Sequence, residues 1–171
     1  MNQDVDTVIR FQENNMKNKN DEYFMKAALK EANKAFLEDE VPVGAVLVID
    51  DKIIARAYNK RQKNHDVFGH AEVLVIKKAT KKLKTWILED ATLYVTLEPC
   101  LMCSGAIIQS RIKRIVFATY EPKFGCVRST MNVFDNNNFN HHVEITEGVL
   151  QEISSTLLKN YFKKKRIKQN S

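Results

Sequence analysis

One stretch of sequence decides the fold: Ala91-Thr92-Leu93-Tyr94-Val95-Thr96-Leu97-Glu98-Pro99-Cys100-Leu101-Met102-Cys103. Residues 91–97 are mostly apolar or β-branched, which predicts a buried strand. Pro99 suits the first position of a helix, because the N–H that proline lacks is not needed there. Residues 114–119 predict the next strand. A strand, a short helix and a second strand form a parallel crossover unit, so the sequence predicts an α/β fold.

The flanking segments extend this unit into a mixed sheet. Apolar residues recur on one face of a helix predicted to begin at Asp21 and to end near Leu37. Residues 43–49 and 52–58 predict the two strands of a hairpin. Two more helices are predicted from residue 69 and over 149–165, with a short strand or extended connection at 143–145 between them. We expect one α/β/α domain over residues 21–171, with a sheet of about five strands and helices on both faces.

Length and composition limit the class of protein. A chain of 171 residues suffices for one domain with a real core. Residues 1–20 are polar and lack periodicity, so we expect a disordered or loosely attached extension. The chain has no secretory signal pattern and no run of the roughly 18 to 20 apolar residues that span a bilayer, so we expect a cytoplasmic protein and no membrane partner. Three cysteines, two of them in a C-x-x-C, fit a reducing compartment.

The net charge of +6 comes from one segment of the chain. Six basic residues, with no acidic residue among them, occupy the end of the last predicted helix: Lys159, Lys163, Lys164, Lys165, Arg166 and Lys168. Such a cluster beside aromatic residues favours contact with phosphates, and a solubilising tail is the alternative.

Two short motifs carry candidate metal ligands. The first is His70-Ala71-Glu72, and the second contains Cys100 and Cys103. One imidazole and two thiolates are one ligand short of a closed structural zinc site, which favours a catalytic zinc with water in the open position. Glu72 is then free to shuttle protons.

A redox or purely structural role could explain each motif separately but not both together. A C-x-x-C at the start of a helix also fits a thioredoxin-like redox pair, which has no need of H-x-E elsewhere. A structural zinc site needs a fourth ligand, and Cys126 is the only other cysteine. We expect Cys126 to be a semi-buried loop residue, and His65, His141 and His142 to be loop residues or polar contacts. H-x-E followed by P-C-x-x-C is the signature of zinc-dependent base deaminases.

Longer blocks of sequence narrow the class further. Residues 41–48 read Val-Pro-Val-Gly-Ala-Val-Leu-Val, Asn59 and His65-Asp66 precede the H-A-E motif, and residues 90–100 and 143–150 form two more blocks. From about Asp21 to Arg166 the chain resembles the bacterial tRNA wobble-position adenosine deaminases. The resemblance implies a cytidine-deaminase-like fold, a homodimer, and one zinc ion per subunit.

The resemblance also implies a reaction and its residues. Adenosine in a tRNA anticodon would be flipped into the pocket and hydrolysed to inosine, with zinc-bound water attacking C6 and Glu72 shuttling protons. Asn59 would hydrogen-bond the flipped base and Val43 would line its pocket. We also expect Ala71 to bind the base through its backbone. The remaining implied residues contact RNA: Glu121, Lys123, Phe162 and Arg166.

Some positions depart from the family pattern. Val67, Phe68 and Gly69 stand where Pro-Thr-Ala is usual, and Arg128 and His142 replace a usual Gly and Arg. These changes affect fine contacts and loop preference rather than the class of reaction. The main alternative function is deamination of a free base or nucleoside (cytosine, guanine or cytidine), and a second is a non-enzymatic RNA-binding subunit. The basic C-terminal segment argues against the first alternative, and the presence of Glu72 argues against the second.

Overall fold

A computed structural model of the chain describes residues 21–170. Within that range the chain forms four α-helices, five β-strands and one 3₁₀ turn. In chain order they are α1 (described over 21–37), β1 (Gly44–Ile49), β2 (Lys52–Tyr58), α2 (Ala71–Leu83), β3 (Thr92–Leu97), α3 (Leu101–Gln109), β4 (Arg114–Thr119), the 3₁₀ turn (Val133–Asp135), β5 (Glu144–Glu147) and α4 (Gln151–Gln169). The extension predicted over residues 1–20 lies outside the described residues.

The five strands form one mixed sheet in the order β2-β1-β3-β4-β5. β1 pairs antiparallel with β2 and with β3, whereas β3, β4 and β5 are parallel. The predicted hairpin and the predicted β3–α3–β4 crossover are therefore confirmed. Because β2, β3 and β4 run in the same direction, their carboxyl ends meet at one edge of the sheet. The loops that follow these three strands carry most of the candidate site residues.

Side chains alternate between the two faces of the sheet and build two apolar layers. One layer packs the sheet against α2 and α3, and includes Ala45, Leu47, Leu93, Val95, Ile115, Phe117, Val75 and Ile107. The other packs it against α1 and the start of α4, and includes Val46, Val48, Tyr94, Val116, Ala118, Phe24, Ala28 and Leu150. Helices thus cover both faces, which confirms the expected three-layer α/β/α fold.

Helix α3 begins later than the sequence predicts. Pro99 is not its first residue: the helix starts at Leu101, and Cys100 is the N-cap with an extended backbone. The reason is tertiary, because Cys100 forms an isolated β-bridge with Gly125. A residue paired in this way cannot also adopt helical dihedrals.

The sequence places apolar residues at 150, 153, 157, 158 and 162 of helix α4, and the structure buries only part of that set. Ile153 and Phe162 are exposed, and the fully buried residues are Ser154 and Tyr161. The Ser154 hydroxyl donates a hydrogen bond of 2.6 Å to the Thr96 carbonyl, so the helix packs against the sheet through a polar contact. No helix within residues 21–170 is both long enough and apolar enough to cross a membrane.

Gly44 lets α1 approach the sheet closely. A Cβ atom at this position would overlap the Ala28 carbonyl oxygen and the Ala32 amide nitrogen, both backbone atoms of α1. The Gly44 amide donates to the Thr96 hydroxyl at 3.1 Å, which fixes β1 against β3. The backbone contact therefore requires glycine at the start of β1.

Gly44→Ala should lower the free energy of unfolding by about 3 kcal/mol, because neither backbone can move without disturbing the core. Gly105→Ala is the matched control. Its Cβ would meet nothing within 4 Å, and alanine favours a helix interior by about 1 kcal/mol. Urea denaturation of both variants measures the difference, and equal effects would contradict the close approach described above.

Candidate active site

His70 is placed by the loop that follows β2. The Lys60 amide donates to the Gly69 carbonyl at 2.9 Å, which brings the end of β2 beside the start of α2. His70 is the N-cap of that helix, and its carbonyl accepts from the Leu74 amide at 3.0 Å. The imidazole therefore projects from a fixed helix end.

Cys100 and Cys103 are placed by the loop that follows β3. Cys100 caps α3 and Cys103 lies in its first turn, buried from solvent. The Cys100 and Cys103 sulfurs lie 3.6 and 3.5 Å from His70 Nδ1. All three candidate ligand atoms lie within 4.8 Å of one another. The fold thus brings together residues that are up to 33 positions apart.

The three ligands fit a tetrahedral metal ion. With Zn–S bonds of about 2.3 Å and Zn–N bonds of about 2.05 Å, two tetrahedral ligands lie about 3.6 Å apart. The two observed N···S distances match this value. A His/Cys/Cys donor set also suits a borderline-soft divalent ion. The imidazole and each of the two thiols therefore lie at the separation that a shared metal ion requires.

The pKa values of the two thiols are shifted in opposite directions. Hydrogen bonds with Cys103 and His70 lower the pKa of the Cys100 thiol to about 4, against the effect of burial. Hydrogen bonding with Cys100, together with burial, raises the pKa of the Cys103 thiol. The hydrogen bond with Cys100 also raises the pKa of His70. The cluster alone therefore favours one thiolate, and a cation would favour the second.

Glu72 lies at the second position of α2, next to the three ligands. Only 4% of its surface is exposed. Burial raises its pKa to about 7, and it also hydrogen-bonds with Cys103. A carboxyl group with a pKa near neutrality can both accept and donate a proton under physiological conditions. Its protonation chemistry therefore suits the role predicted from the sequence.

The predicted base-binding residues lie on the same edge of the sheet. The Asn59 backbone N–H donates to the Val43 carbonyl at 3.0 Å, so the end of β2 lies against the start of β1. The Asn59 side chain donates to the Val41 carbonyl at 3.3 Å and accepts from the Arg61 amide at 3.2 Å. One side-chain N–H and one oxygen lone pair remain for a ligand. Ala71 is fully buried at the start of α2.

The predicted RNA contacts fall in two places. Glu121 and Lys123 lie in the segment after β4, where the Glu121 carboxylate accepts from the Lys123 amide at 2.9 Å. Phe162 and Arg166 are exposed on α4, and the Phe162 ring packs edge-on against Tyr161.

The basic segment of α4 is partly paired with acidic residues. Lys165 and Lys168 lie 2.8 and 3.8 Å from the Asp39 carboxylate. Among residues 21–170, no ion pair is formed by Lys159, Lys163 or Arg166. The charge available to a phosphate is therefore smaller than the sequence suggests.

Two buried glutamates that sequence reasoning did not single out hold the loops of the site. Glu40 accepts hydrogen bonds from the Gln62 and Lys63 amides, in the loop between β2 and His70. Glu98 accepts from the amides of residues 121 and 127–129, after β4. The one available signal was that each stands beside an apolar strand, where an acidic residue is unusual.

Comparisons with known proteins identify the family of the chain. The family described as MafB19-like deaminase matches residues 18–166. A tRNA-specific adenosine deaminase of Bacillus subtilis is 50% identical over 151 residues, which cover 88% of this chain and 94% of that protein. The chain belongs to the tRNA-specific adenosine deaminase family.

Solved structures extend the family comparison. One, from studies of A-to-I editing by tRNA:A34 deaminases at the wobble position of transfer RNA, has a TM-score of 0.77 and 42% identity, covering 80% of this chain and 99% of that one. A guanine deaminase from Nitrosomonas europaea has a TM-score of 0.71 at 24% identity, covering 82% of this chain and 83% of that one. The second likeness shows the fold alone, so the fold does not decide which base is deaminated.

Cys103→Ala should abolish metal binding, because it removes one of three ligands. Cys126→Ala is the matched control: Cys126 is also buried, but its thiol donates to the Phe124 carbonyl at 3.4 Å and lies outside the ligand group. We expect about one metal ion per chain in wild type and in the control. Elemental analysis of the purified proteins measures this, and loss of metal in the Cys126 variant would contradict the ligand assignment.

Proposed function

We propose that this chain hydrolyses adenosine to inosine at the wobble position of a tRNA anticodon. The observation that carries this proposal is a three-ligand cluster with a buried carboxylate beside it, in a member of the tRNA-specific adenosine deaminase family. Hydrolysis needs a water nucleophile and a group that moves protons, and the site contains candidates for both. The wobble position is the one acted on by the tRNA:A34 deaminases of the structural comparison.

We propose zinc as the metal, held by His70, Cys100 and Cys103. Two thiolates and a neutral imidazole give a site with no net formal charge around a divalent ion, which suits a neutral base. When bound, zinc would supply a water acidic enough to react near neutral pH. Glu72 is not needed as a ligand, so its carboxylate remains available for proton transfer.

Glu72 would move the protons. Its carboxylate takes a proton from the attacking water and delivers it to a ring nitrogen of adenine. It then transfers the second proton of that water to the amino group, which leaves as ammonia, and the water oxygen remains at C6 as the carbonyl of inosine. The burial of Glu72 at the start of α2, beside the three ligands, supports both steps, because the carboxylate is held next to the position of the attacking water.

The remaining roles follow from the family resemblance. Asn59 would bind the flipped base through its free N–H and lone pair, with Val43 and the Ala71 backbone completing the pocket. Glu121, Lys123, Phe162 and Arg166 would contact the RNA around it. A homodimer and a cytoplasmic location, where tRNA is found, also belong to this proposal.

Incubation of the protein with total tRNA, followed by sequencing of A-to-I changes, tests the function. We expect inosine at the first anticodon position of a subset of tRNAs. Parallel reactions with free adenosine, adenine, cytidine and guanine should show no turnover. Deamination of a free base or nucleoside, with tRNA left unchanged, would instead support the small-molecule alternative.

Glu72→Ala should lower kcat by roughly 10²- to 10⁴-fold, since it removes the group that transfers protons. The metal should remain, because Glu72 is not one of the three ligands. Single-turnover assays on tRNA together with elemental analysis measure both quantities. Glu89→Gln, an exposed change, serves as control. Full activity in the Glu72 variant would show that another group moves the protons.

A further inference from the structure

Glu98 is a buried carboxylate to which the proposed reaction gives no role. It stands between the last residue of β3 and the ligand Cys100, with 2% of its surface exposed. Its amide donates to the Thr119 carbonyl at 2.8 Å, which extends the pairing of β3 with β4. A buried carboxylate is unfavourable unless hydrogen bonds compensate it, so its partners indicate its purpose.

All five donors to this carboxylate come from one segment, residues 121–129. Oε1 accepts from three consecutive amides, those of Val127, Arg128 and Ser129, at 3.1, 2.7 and 2.9 Å. Oε2 accepts from the Glu121 amide at 3.0 Å and from the Ser129 hydroxyl. Hydrogen bonds to an ionised acceptor are about twice as strong as neutral ones. One side chain therefore holds both ends of the segment.

The segment also lies against the metal ligands. The Cys126 amide donates to the Pro99 carbonyl at 2.9 Å, and Gly125 pairs with Cys100 in a β-bridge. A Cβ atom at Gly125 would overlap the Glu98 carboxyl group, so the backbone approaches as closely as glycine allows. Backbone contacts therefore hold the middle of the segment against Pro99 and Cys100, while the Glu98 carboxylate holds its two ends.

The middle of the segment is open to solvent. Lys123 is exposed, and 70% of the Phe124 surface is accessible. A cation and an aromatic ring are the groups that contact phosphates and unstacked bases in single-stranded RNA. The segment is therefore anchored at both ends and presents these two groups beside the candidate active site.

We propose that Glu98 is a positioning residue for tRNA recognition: its carboxylate fixes segment 121–129 so that its exposed residues meet the anticodon loop. This inference rests on the proposed function. Without the carboxylate, the two ends of the segment would have to be ordered on each binding event, and that ordering opposes binding. The proposed metal ligands and the proton-transfer residue Glu72 are all unchanged in a Glu98 variant. Loss of the anchor should therefore raise KM and leave kcat nearly unchanged.

Hydrogen exchange of the metal-loaded protein tests the anchor directly. Glu98→Gln should speed exchange at the amides of residues 121 and 127–129, because an amide group cannot accept all five hydrogen bonds. Glu40→Gln is the matched control, since Glu40 is equally buried and holds the amides of Gln62 and Lys63. It should affect exchange at those two residues only. Unchanged protection over 121–129 in Glu98→Gln would overturn the proposal.

Kinetics on tRNA test the consequence for recognition. Glu98→Gln should raise KM about tenfold with kcat within about twofold of wild type and with the metal retained, whereas Glu89→Gln should match wild type. A fall in kcat at unchanged KM, or loss of metal, would overturn the proposal and make Glu98 a support for the ligand loop. If the wild-type protein does not deaminate tRNA, the proposed function is wrong and so is the recognition role of Glu98. The hydrogen-exchange measurement would then still show whether Glu98 anchors segment 121–129.

Ser129→Ala provides a second variant, in which the substituted residue is itself exposed. It removes the hydroxyl donor to Glu98 and leaves the four amide donors in place. We expect an increase of about threefold in KM and faster exchange at residue 129. This measurement decides the proposal if Glu98→Gln does not fold, and an unchanged KM in a folded Ser129 variant would then count against it.

Discussion

Two thiols, an imidazole and a carboxyl group are held together, with Cys103 and Glu72 buried, and the rest of the site depends on that crowding. Charged groups in such a space repel one another and lose hydration, so they are stable together only with a compensating cation. The opposite pKa shifts of Cys100 and Cys103 express this constraint, because one thiolate is as much negative charge as the cluster favours alone. Helix N-termini on both sides of the cluster add partial positive charge. A bound metal ion would supply the remaining positive charge.

Buried carboxylates also hold the irregular backbone of the loops beside the site. The loops after β2 and β4 lack the ladder of hydrogen bonds that strands and helices provide, yet their N–H groups need acceptors. Glu40 and Glu98 supply these acceptors, each binding consecutive amides in its loop. The precision of the site therefore comes from side chains outside the catalytic set. Glu98 also links the sheet to segment 121–129, which would meet RNA.

Local periodicity predicts most of this fold well, and it fails where packing is polar. The strands and the crossover around α3 follow from runs of apolar residues, because burial on a sheet face depends on alternation along the chain. Helix α4 does not follow its apolar pattern, since Ser154 and Tyr161 are buried while Ile153 is exposed. A hydroxyl that bonds to a neighbouring strand carries no hydrophobic signal. The start of α3 differs for a similar reason, a bridge between Cys100 and a distant loop.

The sequence by itself determined the ligand types, the reaction class that they suggest and the order of strands and helices. These depend on residue identity and on spacing along the chain, both of which can be read locally. Only the tertiary structure decided that the ligand atoms lie at tetrahedral distances, that Glu72 is buried enough for a pKa near 7, and that Asp39 pairs with Lys165. Distance, desolvation and ion pairing depend on residues far apart in sequence. The contacts of Glu98 also depend on tertiary structure. They form only because the pairing of β3 with β4 brings residue 98 beside residues 121–129, and no pattern along the chain predicts them.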